Sequence, residues 1–84
     1  MYYVYALYNK ENDKIYIGQT SDLEKRIILH NSKIMKTSYT AHYKGSWEII
    51  YQEKTNNRQE ALIREKQLKS YQGRLFIRKT ITLN

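Results

Sequence analysis

The segment KIYIGQTSDLEKRIILH, residues 14–30, concentrates side chains that could bind an anion or exchange a proton. Tyr16 carries a phenol hydroxyl, Arg26 a permanently charged guanidinium group, and His30 an imidazole that titrates near neutral pH. In a helix over residues 22–33, Asp22, Arg26 and His30 are successive i,i+4 neighbours and form one polar strip. Arg26 and His30 can then contact one target together, although such a pair is also common on a solvated helix face.

A second tyrosine, Tyr5, is predicted to lie beside Tyr16. Residues 2–8 (YYVYALY) and 14–18 have the composition of β-strands, and the polar residues 9–12 between them have a common hairpin length. A loop over 9–12 places Tyr5 directly opposite Tyr16 on one face of the sheet. Two adjacent phenols could serve chemistry or could simply pack across the strands.

Glu65 occupies an unexpected position in the second half of the chain. On a helical wheel it falls between Ala61 and Leu62 and near Leu68, within the arc that should face the core. An unpaired buried carboxylate costs several kcal/mol, so such a residue usually meets an arginine, a metal ion or a cleft. The alternative is a surface ion pair with Lys69, one turn further on, which contributes only a few tenths of a kcal/mol.

Start and stop signals locate the remaining elements. Ser21 followed by Glu24 has capping-box spacing and predicts the start of the first helix. A third strand is predicted at about 46–53, and Asn57 opens a second helix that extends to about 71. Gly73 is predicted to stop the helical structure before the basic and apolar end RLFIRKTI.

Together these elements predict an α+β fold with a small three-stranded antiparallel sheet flanked by helices. The chain of 84 residues is expected to be one domain over residues 1–84, with a short irregular or helical connection at 34–45. Without cysteine, neither a disulfide framework nor a thiolate zinc site is possible. The sequence contains no signal peptide and no stretch long enough to span a membrane, so a cytoplasmic location is expected.

The charge indicates the kind of partner. Fifteen Lys and Arg residues against eight Asp and Glu residues give a net charge of +7 and a pI near 9.7. A polyanion is therefore expected, with nucleic acid ahead of an anionic membrane surface, because no long amphipathic basic helix is present. The residues expected to contact nucleic acid are all basic: Lys14, Lys25, Lys33, Lys69 and Arg74.

These residues carry a resemblance to the GIY-YIG nuclease family, and most to its small standalone bacterial members. The resemblance covers nearly the whole chain and lies in Tyr3-Val4-Tyr5, in Tyr16-Ile17-Gly18, and in the spacing from there to Arg26 and His30. The segment EALIREKQLKSY is similar to the metal-site helix of the family and has Glu65 in the ligand position. Tyr39 most nearly occupies a further position that the family fills with tyrosine or histidine.

The resemblance implies metal-dependent hydrolysis of phosphodiester bonds in duplex, branched or single-stranded DNA. Glu65 would hold one Mg²⁺ or Mn²⁺ ion, with water in most of the coordination sphere. Arg26 would bind the phosphate, Tyr5 or Tyr16 would orient or deprotonate the water, and His30 would relay a proton or orient the tyrosine. No organic cofactor is implied, low sequence specificity is expected, and structure-selective cleavage in DNA repair or recombination would suit such an enzyme.

Two departures from the family pattern leave a second function open. Residues 3–5 (YVY) lack the initial glycine of the first motif, a change that the small standalone members commonly have. Residues 74–76 (RLF) contain no asparagine, which many members have shortly after the metal-site helix. The alternative is a nucleic-acid-binding module that keeps the nuclease fold without catalysis.

Overall fold

The computed structural model describes residues 1–32 and 44–82, and it has the α+β fold that the sequence predicts. The strands and helices within these residues are β1 (Tyr2–Asn9), β2 (Lys14–Thr20), α1 (Leu23–Ser32), β3 (Glu48–Thr55), α2 (Arg58–Lys69) and α3 (Tyr71–Thr82). The three strands form one antiparallel sheet in the order β2-β1-β3, so β1 is central and β2 and β3 are the edges.

Alternating residues of β1 serve two separate cores on the two faces of the sheet. Val4 and Ala6 pack with residues of α2 and α3, such as Leu68 and Ile77. Tyr5 and Leu7 pack with Trp47 on the opposite face, where the apolar side of α1 covers them. This alternation follows from the period of two in a strand, and it gives α1 a different face of the sheet from α2 and α3.

The hairpin register differs from the prediction by two residues. Tyr5 pairs with Gly18, not with Tyr16, and the turn occupies residues 10–13 because β1 continues to Asn9. Asp13 adopts a φ of 53°, a left-handed conformation that aspartate tolerates in turns. A shift of two residues preserves the face of every side chain, so Tyr5 and Tyr16 still share one face of the sheet.

The cap of α1 lies one residue later than the predicted capping box of Ser21 and Glu24. The Lys25 backbone N–H donates to Asp22 Oδ1 at 3.1 Å, so Asp22 is the N-cap. The Asp22 backbone N–H in turn donates to Thr20 Oγ1 at 3.1 Å, which fixes the turn between β2 and α1. Only two residues therefore separate the strand from the helix, and these hydrogen bonds set the direction of the helix.

The two C-terminal helices correct the prediction that Gly73 stops the helical structure. Asn57 caps α2 as expected, but the helix ends at Lys69 instead of about 71. Ser70 Oγ accepts from the Gly73 backbone N–H at 3.2 Å and caps the start of α3, which continues through Gly73. A Cβ on Gly73 would lie 2.4 Å from Leu68 Cα, so the glycine allows close packing of α3 on the end of α2.

The remaining predicted boundaries hold within two residues. Strand β3 begins and ends two residues later than the predicted 46–53, and α1 falls within the predicted 22–33. Most of the predicted connection at 34–45 lies outside the described residues.

Candidate active site

Four of the predicted residues meet on the α1 face of the sheet. The Tyr5 hydroxyl lies 3.0 Å from His30 Nε2, and the two groups form a buried hydrogen bond. The Tyr16 ring completes this cluster, with its centroid 4.7 Å from that of His30 and 6.2 Å from that of Tyr5. Arg26 lies one turn before His30 on α1, and its charge acts on both Tyr5 and His30. The predicted grouping of two phenols, a guanidinium and an imidazole is therefore present.

Gly18 makes the close approach of the two tyrosines possible. A Cβ at this position would lie 2.9 Å from Tyr16 Cε1 and 2.9 Å from the Tyr5 hydroxyl. No real side chain tolerates contacts this short without movement of the neighbouring rings. Gly18 is thus required for packing, because the side chains of Tyr5 and Tyr16 occupy the space where a Cβ would lie.

The environment holds Tyr5 and His30 in their neutral forms near neutral pH. Burial raises the pKa of the Tyr5 phenol well above its usual range, and the neighbouring Tyr16 adds to this effect against the opposing charge of Arg26. Burial and the positive charge of Arg26 lower the pKa of the His30 imidazole. Tyr5 is therefore a proton donor in hydrogen bonds and a poor base, while His30 remains able to accept a proton.

A cleft of about 270 Å³ adjoins this cluster along β2, an edge strand of the sheet. Its lining includes Tyr16 from the α1 face of the strand and Ile15 and Ile17 from the opposite face. Lys69 and Arg74 contribute positive charge from α2 and α3. Because the cleft follows the edge strand, it brings groups from both faces of the sheet to one place.

Glu65 lies on α2, and its side chain is partly buried. Only 18% of the Glu65 side chain is exposed, and Oε2 forms an ion pair with Lys69 Nζ at 3.1 Å. The carboxylate is close enough to Tyr5 that its negative charge contributes to raising the pKa of the phenol. The ion pair with Lys69 is therefore present, and the role of Glu65 as a metal ligand stays a prediction.

The donor set suits a hard divalent cation that keeps most of its water. Within residues 1–32 and 44–82, no group of three or more His, Cys, Asp or Glu side chains could form a protein cage for a metal ion. Mg²⁺ is commonly bound through one or two carboxylates, with water and substrate phosphate completing the octahedron. A single carboxylate beside a basic cleft fits that mode of binding.

Comparison with known proteins agrees with this geometry. The chain matches the GIY-YIG catalytic domain over residues 1–79, which include every described residue of the cluster and the cleft. The chain belongs to the GIY-YIG family. A UPF0213 protein of Staphylococcus saprophyticus is 34% identical over 70 residues, which make up 83% of this chain and 82% of the relative. No solved structure gives a significant match.

The other basic residues predicted from the sequence are more scattered around the GIY-YIG domain. Lys14 is exposed at the start of β2, and Lys25 is exposed on α1. Lys33 and Tyr39 lie outside the described residues.

In the part of the chain that the structure describes, no helix is long and apolar enough to cross a membrane.

One supporting residue of this GIY-YIG site escaped the sequence analysis. The Asn31 side chain accepts from the Trp47 backbone N–H at 2.7 Å and donates to the Trp47 carbonyl at 3.1 Å. Trp47 is buried against Tyr5 and Leu7, so this double hydrogen bond ties the end of α1 to the core beneath the cluster. The position of Asn31 directly after His30 was the only signal available in the sequence.

Proposed function

We propose that the chain is a metal-dependent endonuclease that hydrolyses DNA phosphodiester bonds in the cleft along β2. The observation that carries this proposal is the meeting of the Tyr5, Tyr16 and His30 cluster with Glu65 and two cleft cations at one strand edge. Cleavage of a phosphodiester needs an activated water, stabilisation of charge on the phosphoryl oxygens and help for the leaving oxygen.

Cations around the cleft would bind and orient the DNA backbone. Arg74 lines the cleft, and Arg26 is half-buried beside the tyrosines, where its guanidinium could contact a phosphate in two places. These guanidinium groups would contact phosphates rather than base edges, and the cleft follows a single strand edge. Cleavage with low sequence specificity and a preference for DNA structure, as in repair or recombination, is the substrate range that fits.

The two tyrosines would have different roles. Tyr16 lines the cleft, so its hydroxyl could contact the attacking water and orient or deprotonate it. Tyr5 is buried and stays protonated, so it would position its neighbours through hydrogen bonds. His30 would accept a proton through this hydrogen-bonded cluster, because its lowered pKa keeps the imidazole neutral.

Glu65 would hold the metal ion, Mg²⁺ or Mn²⁺. When bound, the ion supplies positive charge that stabilises the phosphoryl oxygens and the leaving oxygen. The protein contributes the fixed carboxylate, the cations that orient the phosphate and the phenol that orients the water. Because one carboxylate carries the metal, its loss should abolish cleavage almost completely.

The test compares Glu65→Gln with Glu60→Gln on branched, single-stranded and duplex DNA in Mg²⁺, Mn²⁺ or EDTA. Glu60 lies on the same helix, where its carboxylate accepts from the Asn56 backbone N–H, and glutamine can keep that hydrogen bond. We expect Glu65→Gln to fold, to bind DNA at least as well as wild type and to lose cleavage. Glu60→Gln should cleave like wild type, which controls for the loss of one negative charge.

Two results would contradict the proposal. Cleavage by Glu65→Gln within a few-fold of wild type would remove Glu65 from the metal site. A wild type that binds DNA but cuts none of these substrates with either metal would favour the non-catalytic binding module, consistent with the absent asparagine at 74–76.

A further inference from the structure

Lys69 takes part both in the ion pair with Glu65 and in the lining of the cleft. Its ammonium group pairs with Glu65 Oε2 at 3.1 Å, and its side chain lines the cleft beside Tyr16 and Arg74. Half of the side chain is exposed, 49% against 18% for Glu65, so the lysine can move while the carboxylate stays. The lysine stem is flexible and its three donors accept many geometries, which suits an exchange of partners.

Arg74 provides a contrast within the same cleft. Its Nε donates to the Lys69 backbone carbonyl at 3.0 Å, so the guanidinium is tied to the junction of α2 and α3. Arg74 is therefore a fixed cation of the cleft. The ammonium group of Lys69 is instead held by an ion pair, which another cation can replace.

The pairing with Glu65 conflicts with metal binding at that carboxylate. A divalent ion on Glu65 would lie within a few ångströms of the ammonium group, and two like charges at that distance repel. Binding of the ion at this carboxylate would therefore weaken the ion pair between Lys69 and Oε2. The nearest anion that could receive the displaced ammonium is a DNA phosphate in the cleft that Lys69 already lines.

We propose that Lys69 is an exchangeable counter-ion, which neutralises Glu65 before metal binding and moves to the DNA phosphate when a divalent cation takes the carboxylate. This inference rests on the proposed role of Glu65 as the metal ligand. In this exchange Lys69 is a positioning residue. Binding of the divalent ion to Glu65 releases the Lys69 ammonium group, which can then bind a DNA phosphate, so metal binding and phosphate binding are linked.

The first experiment measures Mn²⁺ binding without DNA, by electron paramagnetic resonance of the free ion, in wild type, Lys69→Met, Lys66→Met and Glu65→Gln. Removal of the competing ammonium should tighten Mn²⁺ binding about twofold to fivefold in Lys69→Met. Lys66 is exposed on the same helix, so Lys66→Met controls for the loss of one positive charge and should bind Mn²⁺ like wild type.

The second experiment measures DNA affinity in EDTA for Glu65→Gln, Lys69→Met and the double variant. Glu65→Gln should bind DNA more tightly, because it frees Lys69 for the phosphate. In the Lys69→Met background that gain should largely disappear, and the double-mutant cycle measures the difference directly. A gain of equal size in both backgrounds would mean that Lys69 does not transfer, and would overturn the inference.

The outcomes separate this inference from the proposed function. If wild type binds no Mn²⁺, or Glu65→Gln binds it equally well, the metal site itself is wrong and both proposals fall. If binding requires Glu65 but Lys69→Met has the same affinity as Lys66→Met, only the exchange is refuted.

Discussion

The Tyr5 hydroxyl and His30 Nε2 lie 3.0 Å apart although 25 residues separate them in the chain, and both side chains are almost fully buried, at 1% and 3% exposure. This hydrogen bond joins the central strand to α1 at the centre of the candidate site. It therefore links the stability of the domain to the arrangement of the groups proposed for catalysis.

Tyr5→Phe should lower both stability and cleavage. The substitution removes a buried hydrogen bond while it keeps the ring, so the free energy of unfolding should fall by about 1–2 kcal/mol. Tyr8→Phe is the matched control, since the Tyr8 hydroxyl donates to Asp13 in an exposed pair, and it should cost much less. Urea unfolding compares the variants, and equal stabilities would show that the buried bond contributes nothing.

The stability of the protein should decline as the pH falls below about 6.5. His30 faces Tyr5 from β1, Tyr16 from β2 and Arg26 on its own helix, and its pKa is lowered by burial and by the Arg26 charge. The unfolded chain then binds a proton more readily than the folded one. The contribution of His30 is fully present above the unfolded pKa and is lost as the pH falls towards the folded pKa.

Urea unfolding of wild type and His30→Gln between about pH 8 and about pH 5 tests this dependence. The stability difference between the two proteins should shrink towards low pH, because only wild type has to protonate a buried imidazole. A difference that stays constant over this range would contradict the lowered pKa.

Gly18→Ala should reduce mainly cleavage, whereas Gly73→Ala should reduce mainly stability. The new Cβ at Gly18 would meet the Tyr5 and Tyr16 side chains, which can shift, so cleavage should suffer more than stability. The new Cβ at Gly73 would meet backbone atoms of Gln67 and Leu68, which cannot move without separation of α2 and α3. Thermal unfolding should therefore show a greater loss for Gly73→Ala, and the reverse order would contradict these contacts.

DNA affinity should fall steeply with salt, and Arg74 should account for part of the slope. If Arg74 contacts one phosphate, Arg74→Gln should reduce the slope of log K against log salt by about one. Lys54 lies on β3, the edge strand away from the cleft, so Lys54→Gln should leave the slope unchanged. Fluorescence anisotropy at several salt concentrations measures both, and equal slopes would remove Arg74 from the interface.

The sequence predicted the fold, and it predicted which of the candidate residues lie close together, because these relationships depend on periodicity. A register shift of two residues leaves Tyr5 and Tyr16 on the same face of the sheet. The incorrect loop position therefore still predicted the correct face. Arg26 and His30 share a face in any helix that contains both. These relationships are insensitive to errors of one or two residues at the ends of the elements.

Other features depend on tertiary contacts that no local pattern contains. Gly73 has the ordinary signal of a helix stop, and only the position of α2 shows that it is a packing residue. The cleft along β2 requires knowledge of which strand is at the edge and where Lys69 and Arg74 lie around it. The double hydrogen bond of Asn31 with Trp47 joins residues 16 positions apart, and no periodic pattern in the sequence predicts it.

That double hydrogen bond closes a loop in the chain that begins at the end of α1. Asn31 and Trp47 lie 16 residues apart in the chain and are joined by two hydrogen bonds. The entropic cost of closing a longer loop rises slowly, by about 0.6 kcal/mol for each doubling of its length. Loss of this double hydrogen bond, as in Asn31→Ala, should therefore weaken the attachment of α1 to the core and with it the placement of Arg26 and His30, which α1 carries.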